Sequence, residues 1–281
     1  MSTNNTFSFA RLALVMKRDF MENWKTNLYR FLGPYASFLL VMWVSSMNES
    51  NSFNDFADNV SIAFFSVLFF GGSFTASYIM ESMNTQQKRT SYLMLPATML
   101  EKFLSRFLYV TAGFAIMTTL GLLLAEATRF MLMPFLDCAD AFKQSVLSDV
   151  FQTMTHVRTF NFNGCGTLES IAGWLFLIWS HSFFLLGGCR WYKHAFWKTL
   201  GCFILVELFL VIFVANYVTS LDENTMLAIG EWCQQHLSWV TSTGLATFKI
   251  GVLSLLILLN WWLSYRCFTR QQVIEPKFRL L

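Results

Sequence analysis

Charge is what this sequence has least of. Asp, Glu, Lys and Arg make up 13% of the 281 residues, about half the share found in ordinary soluble domains. A soluble chain of this length needs more charge to cover its surface, which argues against a soluble globular enzyme. Proline and histidine are scarce, at 4 residues each. No His cluster and no Cys-x-x-Cys pair offers the spacing of a metal site. No G-x-x-x-x-G-K-[ST] run occurs, so the chain carries no P-loop ATPase of its own. What fills the sequence instead is apolar: 55% hydrophobic residues, 17% aromatic, with 31 Phe and 10 Trp. That composition excludes a disordered chain and points to an integral membrane protein.

A membrane helix needs about 20 mostly apolar residues to cross roughly 30 Å of hydrocarbon. Six segments qualify: 31–47, 59–80, 107–125, 170–189, 199–218 and 245–265. The runs are continuous rather than alternating, so they predict helices and not barrel strands. The fold expected is therefore an all-α integral membrane protein with six transmembrane helices. Residues 1–30 form an N-terminal amphipathic arm and residues 266–281 a tail. The first long apolar run begins after thirty residues, too late for a cleavable signal peptide.

Orientation follows from Lys and Arg. With six spans, sixteen of the 20 basic residues fall on the side of the two termini and four on the other. Both termini are therefore expected in the cytoplasm. The basic residues line a membrane face, which does not imply a nucleic-acid partner.

In the arm, Phe9, Ala13, Met16, Phe20 and Trp24 recur at steps of three or four, one face of a helix over residues 7–28. Such a helix reads as an interfacial anchor, or as an elbow that contacts a cytoplasmic partner. Between the second and third spans, Glu81 precedes a basic turn with Lys88, Arg89 and Thr90. A short apolar run follows, with Leu93 and Leu95 expected to be exposed beside Lys88 and Arg89, and Pro96 breaks it. Thr98 can then cap a new helix, with Glu101 as the acid of a capping box and Lys102 after it. One helix stops, a short segment lies across, and another starts into the third span. On the residues alone this is also an ordinary helix–turn–helix connection.

This loop resembles the first cytoplasmic loop of type-2 ABC exporter permeases, matching in order at Glu81, Arg89-Thr90, Leu93, Leu95, Pro96 and Lys102. Arg89 stands where that family usually has Gly. Six spans and the amphipathic arm extend the resemblance over most of the chain. It implies a bacterial inner-membrane permease subunit, with ATP and Mg bound on a separate nucleotide-binding ATPase subunit and not by this chain. It also implies a second permease subunit, identical or not, and a coupling helix at this loop pressing on the ATPase. The alternative is a membrane-embedded interaction or assembly protein without transport activity.

Three further features stand apart. His181 and Glu207 lie near the middle of the fourth and fifth spans, where adjacent antiparallel helices could set them face to face. A polar point on a translocation route and a hydrogen-bonded tie between two helices both fit. Glu126 and Arg129 form an intrahelical pair by spacing. Cys138 and Cys165 bracket an outer loop where a disulfide could form, though Cys233 leaves an odd thiol on that side. A second amphipathic run with Val146, Val150 and Phe151 reads as a helix on the outer leaflet, or as a lid over an exit path. No nucleophile or second acid accompanies His181 and Glu207, so no catalytic role is expected.

Overall fold

The computed structural model describes residues 7–46, 52–83, 85–133, 144–155, 167–191, 194–219, 225 and 242–270. Every element among them is helical. In chain order these are α1 (Phe9–Glu22), α2 (Trp24–Ser46), α3 (Phe53–Ser77), α4 (Gln86–Leu93), α5 (Met99–Leu132), α6 (Leu147–Thr155), α7 (Thr167–Arg190), α8 (Ala195–Thr219) and α9 (Ser242–Thr269). A 3-10 turn, Glu81–Met83, links α3 to α4.

Among the described residues five helices are long and apolar enough to cross a membrane: α3 and α5, and most of α7, α8 and α9. The fold is thus that of an all-helical, multi-pass membrane protein. The sixth expected span falls on α2, which is 23 residues long but carries Arg30, Pro34, Tyr35, Ser37 and Trp43. These dilute its apolar stretch below that of the other five, so length alone supports it as a span.

Element bounds differ from the sequence reading in physical ways. The arm does not continue as one helix to residue 28. It breaks at Asn23, whose N–H returns to the Asp19 carbonyl at 3.3 Å. The expected stripe of Phe9, Phe20 and Trp24 faces outward, and the buried face of α1 is Leu12, Val15 and Asp19. That inner face packs on the start of α5. α5 begins eight residues before the expected third span, because the Thr98–Glu101 capping box forms and starts the helix there.

α7 sits between α3, α8 and α9. Its approach to α3 is close: a Cβ added at Gly188 would lie 2.6 Å from the Ser77 carbonyl oxygen. Small residues of this kind let membrane helices meet backbone to backbone. α9 is tied to α7 by a bond from Asn260 Nδ2 to Ser182 Oγ at 3.0 Å. On the other side α2 packs on the C-terminal half of α5. There Phe38, Met42, Phe56, Val60, Phe64 and Leu122 form a core with Val146 and Val150. The short helix α6 therefore rests on the bundle itself. Val146 N–H donates to Glu126 Oε1 at 3.0 Å, and Arg129 Nη2 donates to the Gln144 carbonyl at 2.8 Å. The Glu126–Arg129 pair, at 2.8 Å, thus also pins the segment before α6. Much of α8 and α9 is apolar and outward, including Leu205, Phe209, Leu255 and Leu258, as a lipid-facing surface requires.

Candidate functional site

Among the described residues, the densest group of buried charge lies where α1, α4 and the start of α5 meet. Asp19 and Arg106 are 0% and 1% exposed, and Arg89, Glu101, Lys102 and Ser105 are buried beside them. Burying this much charge is costly unless each group finds a partner.

Glu101 shows how the partners are found. Its Oε2 accepts from the Thr98 N–H at 2.8 Å, closing the capping box of α5. Its Oε1 accepts from the Ser8 N–H at 2.7 Å and from Arg11 Nη2 at 3.0 Å. One carboxylate therefore sits at the N-terminal ends of two helices, where the aligned peptide dipoles favour negative charge. It fastens α1 to α5 at one end. At the other end Arg106 Nε lies 3.2 Å from Asp19 Oδ2. That contact is ionic rather than an aligned hydrogen bond, and Ser105 Oγ adds a donor to the same oxygen at 3.2 Å. Burial raises the Asp19 carboxyl above its ordinary value, and the Arg106 charge only partly offsets this.

α4 is fastened by a second set. Lys102 Nζ donates to the Leu93 carbonyl at 2.8 Å, satisfying the C-terminal end of α4. Tyr92 Oη donates to the Lys102 carbonyl at 3.0 Å, and its ring lies 5.5 Å from the Arg106 guanidinium carbon. Burial raises the Tyr92 phenol above its ordinary value, so it stays a donor. Arg18 Nη2 reaches Ser91 Oγ at 3.2 Å. Together these bonds hold α1, α4 and the start of α5 as one unit.

All the expected coupling residues but Glu81 are therefore brought together, with roles the sequence did not give. Arg89, expected on an exposed basic turn, is buried. Leu93 and Leu95, expected to project outward, are half-buried against the core around Tyr92, Phe103 and Phe184. The outward side chains of the hairpin include Lys88, Met94, Pro96 and Leu100, with Met94 80% exposed. Thr90 Oγ1 bonds back to the Gln86 carbonyl at 3.0 Å. Glu81 lies apart from the hairpin and pairs with Arg30 of α2 at 3.0 Å.

His181 does have polar company, on α5. Its Nε2 lies 3.4 Å from the Val110 carbonyl, and an added Cβ on Gly72 of α3 would meet its ring. Val110 belongs to a π-helical turn, Tyr109–Gly113, and α3 has a second one at Val67–Gly71. Such turns leave carbonyls off the regular ladder and often mark functional positions. Glu207 lies on α8, but its side chain falls outside the described residues, as do Cys138 and Cys165. Among the described residues no three His, Cys, Asp or Glu side chains gather as metal ligands.

Sequence reasoning missed Asp19. The available signal was an acid continuing the Leu12–Val15 spacing of three and four. Compared with known proteins, the chain matches no family model, no curated protein and no solved structure.

Proposed function

We propose that this chain is the membrane subunit of an ATP-driven exporter of the type-2 ABC class. A separate ATPase subunit would dock on the hairpin of α4 and the start of α5, with the bilayer and a second permease subunit as the other partners. The observation that carries this reading is the buried network of Glu101, Asp19, Arg106 and Lys102. A loop that only joined two spans would have no need of it. Rigid attachment lets a push on Met94 and Leu100 move α1 and the inner end of α5 together, which a flexible loop could not transmit. The loop resemblance at Arg89-Thr90, Leu93, Leu95, Pro96 and Lys102 supports the same reading. ATP and Mg belong to the partner, and this chain positions and conducts.

The test is to look for a P-loop ATPase gene beside this one and to co-express its product with this chain. Met94→Asp combined with Leu100→Asp alters only outward side chains. The variant should insert normally, lose the co-purified ATPase, and lose ATP hydrolysis in reconstituted vesicles. Full retention of both would refute the coupling role and favour the assembly-protein alternative.

A further inference from the structure

A groove lies between α2 and α3, away from the hairpin's outward face. Its volume is about 630 Å³, within the roughly 300–1,000 Å³ of small-molecule sites. Val67, Phe70 and Phe74 of α3, Pro34 and Ser37 of α2, and Phe114 of α5 form its walls. Charge occurs in the lining at one end only, at Arg30 and Glu81. There Arg30 Nη2 donates to Glu81 Oε2 at 3.0 Å. The same guanidinium stacks over the Tyr109 ring at 5.3 Å.

The groove's length matters as much as its chemistry. The lining runs along α3 from Ser66 to Tyr78, roughly 18 Å at 1.5 Å per residue. One leaflet of hydrocarbon is about 15 Å, half the bilayer core. An apolar trough one leaflet deep, with a single cation–anion pair at its mouth, matches a two-part amphiphile.

We propose that this groove holds one zwitterionic aminophospholipid of the surrounding bilayer. Its phosphate sits on Arg30, its ammonium on Glu81, and one acyl chain lies between α2 and α3. A second copy of the chain packing an apolar helix here would fill the walls but bring no counter-charges to the Arg30–Glu81 pair at the mouth. The proposal requires only a membrane protein, not a transporter, so it stands or falls apart from the coupling role.

Two variants test it in the full chain. A Cβ added at Gly33 meets nothing within 4 Å, so Gly33→Phe can occupy the groove without displacing the packing. Arg30→Gln removes the phosphate partner and leaves the walls intact. Protein purified in mild detergent is titrated with phosphatidylethanolamine and with phosphatidylglycerol, and lipid adducts are counted by native mass spectrometry. Wild type should carry one phosphatidylethanolamine per chain and bind it at least tenfold more tightly than phosphatidylglycerol. Each variant should weaken that binding tenfold or more, with Gly33→Phe melting as wild type does. Equal lipid occupancy in wild type and Gly33→Phe overturns the proposal. So does a loss of dimer mass in Gly33→Phe with lipid binding unchanged, which would assign the groove to a second copy.

Discussion

Arg106, in the first turns of α5, reaches back to Asp19 of the N-terminal helix, Nε to Oδ2 at 3.2 Å, with both side chains almost wholly buried. The pair joins residues far apart in sequence across the face where α1 lies on α5. Removing one partner leaves the other as an uncompensated buried charge, at a cost of about 3–5 kcal/mol. Asp19→Ala should therefore release α1 from the bundle while the spans still insert. Limited proteolysis should cut near Asn23 much faster in the variant than in wild type. An unchanged cleavage rate would show that the pair contributes nothing to docking.

The same carboxyl predicts a pH dependence. Burial raises the Asp19 pKa above its ordinary value in the folded chain, so in the window between the two values the folded state binds more protons than the unfolded one. Stability from this group therefore falls as pH rises through that window. Asp19→Asn cannot titrate. The difference in Tm between wild type and Asp19→Asn should shift in favour of wild type as the buffer is taken from pH 7 toward pH 4. A difference that is constant, or that moves the other way, counts against a raised Asp19.

Much of this fold could be read locally, and the site only in part. The Thr98–Glu101 box was legible because both of its bonds span three residues. The apolar runs of α3, α7 and α9 were legible because length and composition alone specify a membrane helix. The inward turn of Leu93 and Leu95 was not, because it depends on α4 folding down onto the core around Tyr92 and Phe103. Nor was the inner face of α1. Phe9–Phe20–Trp24 and Leu12–Val15–Asp19 both keep helical spacing, and only the position of α5 decides which stripe is covered. Glu101's hold on Ser8 and Arg11 joins residues some ninety positions apart, a distance no local pattern encodes.

Gly188 should tolerate no side chain. Its added Cβ would meet the Ser77 and Ala76 backbone oxygens at 2.6 and 2.9 Å, and backbone cannot rotate away. Gly188→Val should force α7 off α3 and lower Tm by several degrees, with a cost of about 1–3 kcal/mol for overpacking. Gly201→Val, where an added Cβ meets nothing within 4 Å, is the matched control. Equal melting of the two variants would show that α3 and α7 do not meet at this point.

The orientation proposed from the charge count predicts reporter outcomes. Fusions after Asn51 and after Asp222 should read as external, and a fusion at the C-terminus as cytoplasmic. A cytoplasmic signal after Asn51 would mean that α2 does not span, leaving the five helices of clear spanning character.

The exporter reading also predicts two permease subunits in one particle. Light scattering in mild detergent should give twice the mass of the 32.5 kDa chain, plus bound detergent. A monomer that couples to an ATPase and transports would contradict it.

The wide turns in α3 and α5 carry a consequence for how the chain tolerates change in length. A π turn closes over five residues instead of four, so it holds one residue more than a plain helix between the same two ends. Deleting one residue within Tyr109–Gly113 would let α5 relax into an unbroken α-helix, with Arg106 still aimed at Asp19 and Gly121 still against Tyr35. The same deletion a turn further on, at Thr118, has no spare residue to absorb it. It would turn one end of α5 against the other by about 100°, the angle one residue occupies on a 3.6-residue turn. The chain thus keeps a spare residue in mid-helix, at the turn whose Val110 carbonyl faces His181.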